Sequence, residues 1–180
     1  MVPWWYTAGS TLLLSISAAA WDYSTYNSMD FQPPTLVVNK TSTTEPGFIF
    51  VGPRGGVQPA GQAALIYDDE GNLVYEGPEE VTANFMIQQL NGSDVLTFWA
   101  GDMMDIGYGY GTVHILDNTY KEIHTVTLGG NFVTPDNSTK DSYIDLHESH
   151  ITPRNTLLVT AYNLTQHDLT SIGGNSSDWM

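Results

Sequence analysis

Asn84-Phe-Met-Ile-Gln-Gln-Leu90, then Asn91-Gly-Ser-Asp94, then Val95-Leu-Thr-Phe-Trp99 is the stretch that decides the fold. Its first arm alternates, its middle four residues are turn formers, and its return arm is β-branched or aromatic. Two short runs joined this way predict a β-hairpin with one face turned to a core. The same grammar recurs on both sides. Upstream, Ala63-Ala-Leu-Ile-Tyr-Asp68 turns at Asp69-Glu-Gly-Asn72 and returns as Leu73-Val-Tyr-Glu76, preceded by the glycine-bounded run Gly47-Phe-Ile-Phe-Val-Gly52. Downstream, a glycine-dense connector from Gly101 to Gly111 leads into Thr112–Leu116, a turn at Asp117–Tyr120 and a return over Glu122–Leu128. A third strand pair is predicted within Asp145–Tyr162: a short arm ending in Ile151, a turn at Pro153-Arg154-Asn155, and the apolar run Leu157–Tyr162. No stretch carries helical periodicity.

These units repeat. Asp68 recurs as Asp117, and Leu73 as Ile123, about 50 residues on; Asn84 to His147 and Val95 to Leu157 repeat at about 60. Four short strands at such a spacing describe propeller blades. The expectation is therefore an all-β chain of propeller-type four-stranded blades, about two and a half of them, an incomplete propeller. Its predicted parts are a signal peptide at 1–20, an extended lead-in at 21–45 with an edge strand at Thr35–Val38, blades over 46–172, and a polar tail at 173–180.

Composition bounds the setting. At 180 residues a single core is the default. The chain has no cysteine, so neither disulfides nor thiolate metal sites arise. A formal charge of −15 repels nucleic acid and anionic membrane surfaces and excludes both as partners. Residues 7–20 form an uncharged apolar run ending in small residues, the length of a signal-peptide core and too short to span a bilayer. Cleavage is expected near Ala20, leaving a secreted, extracellular protein with no membrane attachment; an uncleaved N-terminal anchor is the alternative. Five Asn-X-Ser/Thr tripeptides, at Asn39, Asn91, Asn137, Asn163 and Asn175, predict glycosylation of such a product.

The chemistry-bearing candidates concentrate near the third strand pair, where His147 and His150 flank Glu148. His147 is the candidate nucleophile or ligand; the bland alternative is a structural histidine in a turn. In an extended strand His150 would face away from His147, which argues against a His-x-x-His zinc pair even with His167-Asp168 further on. His114 and His124 fall in strand patterns as packing or surface residues. Asp102 and Asp105 match no calcium loop. Gly107-Tyr-Gly-Tyr-Gly111 lacks the strand-then-helix context of a nucleotide site, and glycines at an inter-strand bend with tyrosines packed over them account for it better. Trp99, Phe98, Tyr108 and Tyr110 form either core between blades or a ring-lined surface for an aryl or sugar ligand. No cofactor and no metal site is implied.

Trp99-Ala-Gly101, Gly107-Tyr-Gly-Tyr-Gly111, Ile115-Leu-Asp-Asn-Thr-Tyr120 and Asp145-Leu-His-Glu148 occur in an order and spacing that resemble the fungal branch of the arylsulfotransferase (ASST) family. Gly47-Phe-Ile-Phe-Val, Ile66-Tyr-Asp with Gly71-Asn-Leu-Val-Tyr75, and Pro33-Pro34 extend the resemblance over roughly residues 30 to 170. It implies the N-terminal portion of a six-bladed propeller from a longer chain. It also implies sulfuryl transfer from an aryl sulfate to a phenol through a channel histidine, with His, Asn and Arg of neighbouring blades holding the sulfate. His147-Glu148 followed by Pro153-Arg154-Asn155 fits the family's histidine motif, and Asn84 stands where the preceding unit would carry a histidine. The implied catalytic residue is His147; the implied substrate contacts are Asn84, Glu148 and Arg154; the implied ligand is a small aromatic or sulfated molecule. A non-catalytic propeller that binds a small aromatic or a glycan is the alternative function.

Overall fold

The computed structural model describes residues 32–54 and 62–180; the expected signal peptide and the start of the lead-in lie outside them. The described chain is all-β. Strands β1 (Phe48–Val51), β2 (Ala63–Asp68) and β3 (Leu73–Glu79) form one antiparallel sheet, and β4 (Thr82–Leu90), β5 (Ser93–Met103), β6 (Gly109–Leu116) and β7 (Glu122–Val126) form a four-stranded meander. Two hairpins follow: β8 (Ser149–Ile151) with β9 (Leu157–Val159), and β10 (Gln166–His167) with β11 (Asp178–Trp179). The only helical piece among the described residues is a 3₁₀ turn at Thr170–Ile172.

The deciding hairpin closes more tightly than its sequence suggests. Leu90 pairs with Ser93, so the loop is Asn91-Gly92 alone, both residues at positive φ (52° and 76°). That is the primed two-residue turn whose twist matches the strands, and Asn-Gly is the pair that tolerates it. Three other hairpins share a second solution. Asp68, Asp117 and Thr152 each open a turn whose side-chain oxygen accepts the backbone N–H groups two and four residues on. Each turn is tied by a backbone bond from its first N–H to its fifth carbonyl. The fourth residue, Gly71, Tyr120 or Asn155, takes positive φ. The repeat read from Asp68 and Asp117 is thus a repeated turn geometry, and Thr152 is its third instance.

Packing is organised around β5, which is buried on both faces. Val95 and Trp99 pack with Val113 and Ile115 of β6 against Ile144, Leu146, Ile151, Leu157 and Val159. Leu96, Phe98 and Ala100 face the other way, onto Ala64 and Ile66 of β2 with Phe50, Tyr75 and Phe85. The period-2 alternation therefore serves two cores, and the meander lies between the first sheet and the β8–β9 hairpin.

Several expectations need correction. Thr35–Val38 forms no strand; instead Leu36 packs on Leu65 and Tyr67 while Tyr67 donates its hydroxyl to the Pro34 carbonyl at 2.7 Å. That stretch is held by apolar packing on β2 and not by a backbone ladder. The Gly101–Gly111 connector is mostly strand: Asp102 pairs with Tyr110 and Met103 with Gly109. Gly109 and Gly111 make room for Trp99, not for the tyrosines. A Cβ on Gly109 would sit 2.9 Å from the indole, and one on Gly111 only 2.5 Å from it. Trp99 occupies that space, 1% exposed, and donates Nε1–H to the Ile144 carbonyl at 2.8 Å. Within residues 173–180, β11 pairs with β10. Of the expected four-stranded units, β4–β7 is the one with four paired strands among the described residues.

Candidate functional site

His147 does not lie on a strand. It occupies a bend between the Ile144 bridge, which joins β6 at Gly111, and the start of β8. The alternation argument that set His147 against His150 therefore does not apply. Its anchor is Asp145, a carboxylate only 1% exposed. Asp145 Oδ1 accepts the N–H of Gly109 at 2.8 Å; Oδ2 accepts the backbone N–H of His147 at 3.0 Å and lies 2.6 Å from its Nδ1. Thr160 Oγ1 stands 3.4 Å from the same oxygen.

Burial by itself would raise the Asp145 pKa. The Gly109 N–H, the His147 ring and the His147 backbone outweigh it and hold the carboxyl below its ordinary value of 3.8. An ionised carboxylate only accepts, so the proton between the pair belongs to Nδ1, and in the neutral imidazole Nε2 is then the acceptor nitrogen. The His147 side chain is 52% exposed while Asp145 is not exposed at all. A buried acid thus orients an accessible base. This is the arrangement of a positioned nucleophile or general base, with the acid fixing tautomer and ring direction.

Aromatic rings surround the imidazole on one side. Tyr162 meets it edge-on at a centroid distance of 6.3 Å, and Tyr108 stands 6.0 Å beyond Tyr162. The series continues inward through Tyr110 at 5.4 Å and Tyr143 at 5.8 Å to Phe132, stacked at 4.8 Å. The buried Tyr110 hydroxyl has no hydrogen-bond partner among the described residues, and burial pushes its ionisation well above that of a free phenol.

The other expected site residues are spread along the hairpin. Asn84, at positive φ in the β4 bulge, sends Nδ2 to Ser149 Oγ at 2.9 Å, so it braces the strand that follows His147 and not the ring itself. Gln88 adds to that brace, donating to the Ser149 carbonyl at 3.1 Å and accepting the Ile151 N–H at 2.7 Å. Glu148 is exposed, and its carbonyl accepts the Thr160 N–H at 3.2 Å; the acid facing the ring is Asp145. Arg154 sits in the turn at the opposite end of β8, which alone spans about 10 Å. The structure therefore does not bring Arg154 to His147.

The remaining histidines are otherwise engaged or stand on the surface. His114 stacks on Phe98 at 5.0 Å, with Nδ1 2.6 Å from Glu122 and Nε2 2.8 Å from Thr112. His150 and His124 are exposed on β8 and β7, and His167 lies 2.9 Å from the Thr165 hydroxyl. Trp99, Phe98, Tyr108 and Tyr110 are core, all 8% exposed or less. Among the described residues no group of three or more His, Asp or Glu side chains could hold a metal ion, and no helix is long and apolar enough to cross a membrane. All five sequon asparagines are exposed; Asn175 also donates Nδ2 to Asp178 at 2.9 Å.

Sequence reasoning missed Asp145 and Tyr162. The Asp-Leu-His spacing was a usable signal, because an Asp two residues before another residue readily accepts that residue's N–H. Tyr162 had none, since only folding brings it beside His147. A family model described as Arylsulfotransferase (ASST) matches residues 86–180, a little over half of the chain and all of the His147 site, and the chain belongs to that family. No curated protein and no solved structure matches it.

Proposed function

We propose, for a member of the arylsulfotransferase family, that this chain takes part in sulfuryl transfer from an aryl sulfate to a phenol, with His147 carrying the group between them. The observation behind this reading is the Asp145–His147 pair: a buried, ionised acid holding Nδ1–H, with Nε2 the acceptor nitrogen of a half-exposed ring. The Nε2 lone pair attacks sulfur, the sulfur–oxygen bond to the aryl group breaks, and an aryloxide leaves. The sulfated imidazole is cationic, and Asp145 stabilises that charge through Nδ1–H. A phenol oxygen then attacks sulfur, the nitrogen–sulfur bond breaks, and the phenol proton passes to the released aryloxide or to solvent. Glu148 is a substrate contact beside the ring in this reading, and Asn84 braces the segment through Ser149.

The same reading takes the stacked antiparallel sheets, with their recurring Asp68, Asp117 and Thr152 turns, as propeller blades. It takes the exposed asparagines as the glycosylation sites of a secreted protein. Turnover of 4-nitrophenyl sulfate with a phenol acceptor tests the chemistry. His147→Ala should abolish it while leaving the fold intact, because the side chain is half exposed. Turnover that survives in His147→Ala, or is absent from the wild-type chain, overturns the reading.

One observation favours a second, non-catalytic reading. Phe48, Phe50, Ile66, Ile87, Leu96 and Tyr120 line an apolar cavity of about 170 Å³. A small aromatic bound there, without turnover and unaffected by His147→Ala, would mark a binding module instead.

A further inference from the structure

Tyr162 lies beyond the end of β9, between the bend that holds His147 and the aromatic core. It is 44% exposed, yet its ring is not loose on the surface: it packs on Tyr108, which is 8% exposed and is itself wedged against Tyr110. Its other recorded ring contact is the imidazole, edge-on at 69°. The half-exposed ring is therefore held from behind by the buried Tyr108 and stands next to the exposed His147 imidazole. A flat ring laid against it at an ordinary stacking distance would bring its own substituents to the rim of His147.

The surrounding charge says what kind of ring. Lys40 is paired with Asp69 and Glu70, Lys140 with Asp102, and the Arg54 guanidinium reaches Met103 sulfur. Arg154 is at the far turn, and the chain carries a net charge of −15. Among the described residues no Lys or Arg side chain forms a hydrogen bond or ion pair with His147, Asp145 or Tyr162, and Lys140 Nζ lies over the Tyr110 ring, 5.6 Å from its centroid. Recognition at Tyr162 therefore comes from its ring face.

We infer that Tyr162 is the specificity-determining residue of this site and binds the neutral phenol acceptor by ring stacking. The inference rests on the reading of His147 given above, but its test does not need turnover. Binding of 2-naphthol to the full chain is measured by the probe's fluorescence, with phenol and cyclohexanol as competitors. Tyr162→Phe keeps the ring and should bind like wild type. Tyr162→Ala and Tyr162→Leu should each weaken binding by about tenfold, the size of one lost aromatic contact. The Leu variant keeps apolar bulk, so it separates ring stacking from simple packing, and the urea midpoint of each variant verifies the fold. Phenol should displace the probe, and cyclohexanol at the same concentrations should not.

Equal binding by wild type and Tyr162→Leu, or competition by cyclohexanol as strong as by phenol, overturns the inference. Naphthol held at Tyr162 without any sulfuryl transfer leaves this inference standing and sinks the catalytic one. Transfer that is indifferent to Tyr162 does the reverse.

Discussion

Replacing Asp145 separates the two tasks of its carboxylate. Oδ1 satisfies the buried Gly109 N–H at 2.8 Å, and Oδ2 holds His147 at 3.0 and 2.6 Å. Asp145→Ala orphans the Gly109 donor inside the protein, which costs about 1–3 kcal/mol. It also deletes two bonds to His147, a smaller loss because that half-exposed residue can turn its donors to water. Together these come to about 3 kcal/mol, against a total stability of roughly 5–15 kcal/mol for a domain. With a urea slope of about 2 kcal/mol per molar, the unfolding midpoint should fall by about 1.5 M at unchanged slope.

Asp145→Asn behaves differently. Its amide oxygen still accepts from Gly109, while its N–H₂ now opposes a ring N–H donor. The cost should be about half that of Ala, and the His147 proton should move from Nδ1 to Nε2. Nitrogen-15 NMR of the imidazole reads that tautomer directly. An Ala variant within about 0.5 kcal/mol of wild type, or an Asn variant that keeps Nδ1–H, would refute the role assigned to the carboxylate.

Acid should erase the difference between wild type and Asp145→Asn. The Asp145 pKa in the folded chain lies below the ordinary 3.8, so its stabilisation is complete above 3.8, declines as pH drops past that value, and is gone beneath the folded pKa. Urea midpoints of both proteins measured from pH 6 down to pH 2.5 check the sign; a gap that widens on acidification would contradict it. Trp99→Ala should cost about 3–5 kcal/mol by opening the space over Gly109 and Gly111. Trp99→Phe should cost only about 1–2 kcal/mol, because the Ile144 carbonyl that loses the indole keeps the Gly111 N–H at 3.0 Å. Thermal or urea unfolding compares the two, and equal losses would mean that the hydrogen bond, not the ring volume, dominates.

How much of this was legible in the chain varied with how local the cause was. The Asn91-Gly92 turn could be read because its positive φ values demand those residue types. The Asp68 and Asp117 turns could be read because the side chain that caps them lies within four residues of the groups it caps. The site was half legible. His147 was visible as a candidate, but its partner was sought in adjacent Glu148, whereas Asp145 was selected by the N–H of Gly109, about 36 residues away. Gly107–Gly111 was read as a bend because the bulk that Gly109 and Gly111 avoid is the Trp99 ring, on the neighbouring strand. Arg154 was near His147 in sequence and distant in space, since β8 runs between them.

The amino-acid order alone determined the strand content, the turns, the repeat and the likeness to a sulfuryl-transfer family, because each rests on contacts a few residues long or on composition. Only the tertiary structure decided which acid holds His147, which ring stands beside it, and which face of β5 meets which core. Those outcomes depend on burial, which removes water as a competing partner, and on pairings across tens of residues that no local rule ranks.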